Sequence, residues 1–346
     1  MREVIGNNRD GDFRRRTLSL MPTLLTFFLL ASTVALNAAV DAADGAAVDA
    51  SDRAPWTTAA LDASGREATF TVAGGRITVV LPAARLAVTQ AEVLAWVGQS
   101  AAGVASYFGH FPIPRLRVEI SIRGTGVNSG VTFQGRFIRI GLGQHATTTD
   151  LASDWVMTHE MVHLAFPNLD PRSLWMEEGL ATYLEPVIRV RAGSLSASTM
   201  WHELMVGLPK GQPGRSRAGL DDDDAWGRTY WGGAGYWLLA DLRIREQTAG
   251  RHNLDDVLRA VLAAGGDGSA TWTVAQVLAL GRTVTGVDVL ADLHRELGSA
   301  PVNVNYADWW MKLGIRQEPG GLVMDDTAPF AGMRRAIAGK ADHHRQ

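Results

Sequence analysis

Two short stretches decide how this chain is read: His159-Glu160-Met161-Val162-His163, and, a little further on, Trp175-Met176-Glu177-Glu178-Gly179-Leu180-Ala181-Thr182-Tyr183. Apolar spacing predicts a helix over Leu151 to Phe166, stopped by Pro167, and a second from Ser173 to about Leu184, stopped before Pro186. In an H-E-x-x-H sequence two imidazoles stand one turn apart on one helix face, with the glutamate beside them. Nitrogens so spaced can take adjacent corners of a tetrahedral zinc site, and the neighbouring carboxylate can take a proton from water at the metal. Two capped surface histidines are the alternative. A zinc site also needs a third protein ligand, and Glu177 and Glu178 supply carboxylates on the second helix. The chain has no cysteine, so a metal must be held by His, Asp or Glu.

Upstream of these helices the pattern changes to strands. Residues Ala68 to Pro82 alternate around Gly74-Gly75 as a hairpin does, with Phe70, Val72, Ile77, Val79 and Leu81 apolar. Thr89 to Tyr107 predicts a helix with Thr89 as N-cap and Glu92 completing a capping box. Leu116 to Ile122 and Val131 to Leu142 predict two further strands, and Gly124-Thr125-Gly126 between them predicts a turn, since it lacks the lysine of a phosphate-binding loop. Downstream, helices are predicted over Tyr236 to Glu246, Leu254 to Ala264, Val274 to Arg282 and Val287 to Leu297. The expected class is therefore α+β, with a β-rich lobe over residues 56–149, a metal-bearing helical lobe over 150–315, and a flexible Gly/Pro/Asp-rich tail over 316–346.

The N-terminus reads as an address. Arg14, Arg15 and Arg16 precede an apolar run densest from Leu24 to Leu36, and Ala38, Ala39 and Ala42 follow, which predicts a signal peptide over 1–42 and a linker over 43–55. Export to the periplasm or beyond is expected, with an uncleaved signal anchor as the alternative, so membrane contact is expected only through this segment. Composition narrows the partners. At 46% apolar and 20% charged, the 346 residues can bury a full core, which excludes a disordered chain. A net charge of -3 without a basic block argues against nucleic acid.

The pattern W-x-x-E-G-x-A-x-Y after H-E-x-x-H resembles the gluzincin metallopeptidases, the group that holds the thermolysin-like, M1 and M61 peptidases. The resemblance spans about Asp150 to Leu297 and implies a thermolysin-like catalytic fold, a small mixed sheet followed by a helical lobe with one zinc between them. In the M1 and M61 pattern the glutamate directly before glycine is the third ligand, so the resemblance implies zinc at His159, His163 and Glu178, with Glu160 as general base. Only fourteen residues separate His163 from Glu178, a shorter interval than M1 enzymes have. The segment Thr229-Tyr230-Trp231-Gly232-Gly233-Ala234-Gly235-Tyr236 is similar to the M61 stretch in which a tyrosine precedes a glycine turn and a helix. Tyr230 is thereby the implied donor to the oxyanion, and Tyr236 is the competing tyrosine.

What the resemblance implies is hydrolysis of peptide or protein substrates by metal-activated water. The G-x-M-E-N sequence that holds a substrate amino terminus in M1 enzymes has no equivalent here, so aminopeptidase action is not implied. Residues Gly135 to Gly143 stand where the family places an edge strand beside the cleft, an internal strand being the alternative. Two other functions compete: a catalytically silent peptide- or cell-wall-binding protein, and a hydrolase of a non-peptide amide or an epoxide. Asp221 to Asp224 read as a solvated turn with calcium binding as the alternative, and Trp201, Trp226, Trp231, Trp237, Trp309 and Trp310 read as core with a substrate cleft as the alternative.

Overall fold

The computed structural model describes Val4–Ile5 and residues 56–339. The signal peptide and linker, apart from Val4–Ile5, and the last residues from 340 lie outside the described residues. Alternation builds the sheet. In β3 (Glu67–Val72) and β4 (Gly75–Val80), Ala68, Phe70, Val72, Ile77 and Val79 turn to one face and are buried. With β1 (Val4–Ile5), β2 (Trp56–Leu61), β5 (Arg115–Ile122), β6 (Val127–Phe133) and β7 (Phe137–Leu142) they form one sheet in the order β1-β6-β7-β5-β4-β3-β2. The β2-β3-β4 and β6-β7 pairs are antiparallel and β4-β5 and β5-β7 parallel, so the sheet is mixed, as expected. Helix α1 (Gln90–Phe108) links β4 to β5 and starts at the predicted Thr89–Glu92 capping box.

The sheet departs from expectation in one place. The run Val131 to Leu142 is two strands, because Gln134 and Gly135 both take positive φ and turn the chain back on itself. The cleft-side edge assigned to Gly135–Gly143 is corrected by this turn: β7 is internal, with β5 on one side and β6 on the other. Its Ile138, Ile140 and Leu142 are fully buried, as a central strand requires.

The helical part begins with α2 (Thr148–Ala152) and α3 (Val156–Val162), continues through α4 (Leu174–Ala192), α5 (Ala197–Gly207), α6 (Gly233–Gln247), α7 (Leu254–Ala263) and α8 (Val274–Thr285), and ends with α9 (Val289–Leu293) and α10 (Tyr306–Leu313). The single helix expected over Leu151 to Phe166 breaks at Asp154, whose carboxylate turns back to accept from Val156 N and Met157 N at 2.8 and 3.0 Å and so caps α3. Helix α4 does not stop before Pro186 but runs through it to Ala192. An interior proline costs about 3 kcal/mol. Burial of Leu184, Val187 and Ile188 around it offsets that cost, at about 1.5 to 3 kcal/mol for each apolar side chain.

The segment expected to be a flexible tail carries structure as far as it is described. Strands β8 (Ile315–Glu318) and β9 (Gly321–Met324) pair as a hairpin, and helix α11 (Ala331–Ala338) follows. Buried Arg334 holds this segment by donating to the carbonyls of Leu313, Gly314 and Asp325, and Arg191 Nε on α4 donates to Ile337 O at 2.9 Å. Short loops and polar composition hid these side-chain-to-backbone bonds from the sequence. A second buried network joins α1, α4 and α7. Tyr107 Oη and Arg191 Nη1 both donate to Asp255, each at 2.6 Å. Burial alone would raise the Asp255 pKa, but the guanidinium and the phenol hold it below the ordinary carboxylate value. Among the described residues no helix is long and apolar enough to cross a membrane.

Candidate metal centre and active site

Helix α3 packs against both β6 and α4, and this sets the centre. Its last turn tightens to a 3-10 form over His163–Ala165 before Phe166 turns extended ahead of Pro167. His159 and His163 sit one turn apart with ring centroids 5.1 Å apart, and both are buried. From α4, Glu178 Oε2 approaches His159 Nε2 at 3.2 Å and His163 Nε2 at 3.4 Å. One potential ligand atom from each of the three lies within 4.8 Å of the others. Burial pushes the Glu178 carboxyl up, but the imidazoles of His163 and His159 more than offset this and hold it well below the usual range. Glu177, the alternative carboxylate, faces another way: its Oε1 accepts from Leu169 N at 2.9 Å and so fixes the loop between α3 and α4.

Glu160 lies between the imidazoles in sequence but outside the three-residue donor set. Thr132 on β6 donates its hydroxyl to Glu160 Oε2 at 2.6 Å and to the Glu160 carbonyl at 2.9 Å. The other carboxylate oxygen, Oε1, is buried without a hydrogen-bond partner among the described residues. Burial pushes the Glu160 carboxyl up to about 7, against the opposing pull of His159 and the Thr132 hydroxyl. His163 Nε2 and His159 Nδ1 are likewise buried without a hydrogen bond. Buried polar atoms are rarely left so, and two imidazoles with one carboxylate are a donor set that suits zinc. The residues therefore fit the metal that the sequence called for.

Tyr230 reaches the same place through an unusual piece of backbone. It sits in a π-helical turn over Arg228–Gly232 that leads into α6, and such turns recur at functional sites. The ring stacks 6.2 Å from that of His159 and 5.6 Å from that of Trp226. The reason for the flanking glycines is visible here. A Cβ on Gly179, next to Glu178, would stand 2.3 Å from Gly233 Cα, so α4 and the start of α6 meet backbone to backbone. Only glycine permits that approach, and it locks the Tyr230 turn against the residue that follows Glu178. Tyr236 is elsewhere: fully buried, it donates to Leu290 O at 2.9 Å.

The four consecutive acids diverge instead of gathering. Asp221 accepts from Trp175 Nε1 at 2.9 Å, Asp222 pairs with Arg172, and Asp223 lies 3.3 Å from Arg228 Nε. Asp223 thereby braces the Tyr230 turn through Arg228, and among the described residues no metal-ligating group forms at these acids. Of the tryptophans, Trp201, Trp237 and Trp310 are core and Trp231 and Trp309 pack against it, while Trp226 is 50% exposed beside Tyr230. Trp155, which the sequence did not single out, is 40% exposed and meets the His159 ring edge-on at 5.5 Å. Thr132 was also missed, since nothing local to residue 132 points to a glutamate 28 residues on.

The centre opens on a cleft of about 670 Å³. Glu160, His163 and Glu178 form its floor, the β6–β7 turn one wall, and the Gly268–Thr271 loop another. Asn168 ties this loop down through Nδ2 bonds to Gly268 O and Ala270 O at 2.7 and 3.0 Å, and Gly268 N donates to Leu164 O at 3.0 Å. The two walls touch: a Cβ on Gly135 would come within 2.3 Å of Gly268 C.

No family model matches the sequence, and no curated protein matches it. Solved structures do share its fold. An aminopeptidase N family protein from Idiomarina loihiensis aligns over 75% of this chain and 49% of its own, with a TM-score of 0.58 at 15% identity. An M1 zinc metallopeptidase from Deinococcus radiodurans aligns over 72% of this chain and 53% of its own, with a TM-score of 0.47 at 16% identity. The chain spans about half the length of these two proteins. The likeness to the first shows the fold, a mixed α+β unit with a small sheet and a mainly helical part.

Proposed function

We propose that this chain is a zinc-dependent metallopeptidase of gluzincin type with the thermolysin-like arrangement of sheet and helices, exported by a signal peptide over 1–42. The observation that carries the reading is the placement of Glu160: buried beside the donor set, held through one oxygen by Thr132, with the other oxygen unpartnered. A protein that only bound peptides would have no use for such a base. The aminopeptidase N family name of the Idiomarina loihiensis protein agrees with the reading.

His159, His163 and Glu178 would hold one zinc per chain. When bound, the metal supplies Lewis acidity, acidifying water and polarising a carbonyl. Glu160 takes the proton of the attacking water and delivers it to the leaving nitrogen, a task for a carboxyl that stands beside the donor set and outside it. The Tyr230 phenol donates to the oxygen on which negative charge develops, stabilising the transition state more than the substrate. An extended peptide lies along β6, where Val4–Ile5 pair with Gly130 and Ser129 before signal cleavage.

The test is turnover of a mixed peptide pool, followed by mass spectrometry. A chelator should abolish cleavage and added zinc should restore it. Hydrolysis of a small amide or an epoxide, with no peptide cleaved and no competition by peptides, would contradict the proposal.

A further inference from the structure

The charges on the cleft wall bear on what the site selects, given the peptidase reading above. The acids that line the cleft are Glu160 and Glu178, and the reading above already assigns both, one as the base held by Thr132 and the other to the donor set with the imidazoles. No carboxylate is left on the lining to hold a substrate amine. The lining does carry a cation, Arg136. Arg136 is the last residue of the β6–β7 turn, directly before β7, and lines the same cleft as Thr132 and Glu160.

Arg136 differs from the neighbouring arginines of the sheet. Arg117 donates to Glu67 at 2.8 Å and Arg139 to Glu119 at 3.2 Å, whereas Arg136, like Arg76 and Arg115, has no carboxylate partner among the described residues, and of these three it is Arg136 that lines the cleft. The acid on the facing loop, Asp267, accepts from Ser269 N and Oγ at 2.8 and 2.6 Å. Arg136 also stands on a fixed base. Its amide donates to Phe133 O at 3.1 Å, its carbonyl accepts from Arg117 N at 3.1 Å, and Gly135 beside it abuts the Gly268 backbone. An unpaired guanidinium on a rigid turn, in the wall of a cleft with no spare acid, is arranged to receive a carboxylate in a two-pronged contact.

We infer that Arg136 is a specificity-determining residue that selects substrates carrying a carboxylate, either the free C-terminus of a peptide or an Asp or Glu side chain. Neutral isosteres of that carboxylate would leave the guanidinium facing only solvent and the polar wall.

The experiment uses N-acetylated hexapeptide pools made as C-terminal acids and as C-terminal amides, each with Glu or with Gln at the varied acidic positions. Cleavage by the zinc-loaded chain and retention by its Glu160→Gln variant are read together by mass spectrometry. The expected result is a preference of about tenfold or more for carboxylate over its neutral isostere in both readouts, the size of a charge-assisted contact. The C-terminal and side-chain arms then tell the two sources apart. Arg136→Gln should bring the preference close to one, and Arg136→Lys should restore part of it. Equal handling of all pools by the wild type, or a preference untouched by Arg136→Gln, overturns the assignment while leaving the peptidase reading in place. Retention with the preference but without cleavage by the wild type overturns the peptidase reading and sustains Arg136. Neither cleavage nor retention overturns both.

Discussion

Thr132 and Glu160, 28 residues apart, are joined by two contacts from one hydroxyl, 2.6 Å to the carboxylate and 2.9 Å to the carbonyl. The hydroxyl fixes both the side chain and its helix relative to β6, so it acts as a positioning group for the proposed base. Thr132→Val, which keeps the shape and removes the donor, is expected to lower kcat about tenfold with KM little changed, the cost of one charge-assisted hydrogen bond. Zinc content should stay at the wild-type level, and Thr132→Ser should recover most of the activity. A Thr132→Val enzyme with wild-type kcat would contradict the role.

Glu177 and Glu178 separate cleanly by what each touches. Glu178→Ala removes the carboxylate that meets both imidazoles and is expected to lose the zinc. Glu177→Ala is expected to keep it and to lower stability by about 1 to 3 kcal/mol, since the buried Leu169 N–H loses its acceptor. Elemental mass spectrometry and thermal melts on the two variants check both halves.

The glycine contact between α4 and α6 predicts a steric effect. Gly179→Ala would bring a methyl to within 2.3 Å of the Gly233 backbone and push the Tyr230 turn outward. Overpacking of this kind costs about 1 to 3 kcal/mol, and here it should also lower kcat while the zinc is retained. Tyr230→Phe, which removes the phenol hydroxyl and leaves the packing, should reproduce the fall in kcat without the loss of stability. Unaltered turnover in both variants would remove Tyr230 from the site.

Asp255 gives a pH dependence. Its folded-state pKa lies below the unfolded value, so the stability it contributes is present above about pH 4 and is lost as the pH falls through the folded-state value. Asp255→Asn leaves Arg191 buried without its partner and should cost about 3 to 5 kcal/mol near neutral pH. The difference in stability between wild type and variant should narrow as the pH is lowered, which urea unfolding at several pH values measures. A gap that stays constant into the acid range would contradict the assignment of charge to this residue.

Much of this site is legible in the sequence because its chemistry is local. His159, Glu160 and His163 share one helix turn, and the acidic pair with its following glycine sits on the next helix. The capping box at Thr89 is likewise short-range and forms as the residues predict. What the sequence conceals depends on distant partners. Thr132 matters only because β6 lies against α3. Pro186 looks like a stop until the burial around it is counted. Val131 to Leu142 looks like one strand until the Gln134–Gly135 turn places β7 inside the sheet and Arg136 on the cleft wall. The acids at 221–224 read as a solvated turn until Asp221, Asp222 and Asp223 are each seen with a distant partner.

The central claim is that Glu160 moves the proton in peptide hydrolysis at a site built by His159, His163 and Glu178. Cleavage of a mixed peptide pool by the zinc-loaded wild type, set against a Glu160→Gln variant shown to hold the same zinc, tests it most directly. New peptide termini are expected from the wild type, with a loss of rate of about a hundredfold or more in the variant. Equal cleavage by the two proteins, or no cleavage by a wild type carrying its full zinc, would contradict it.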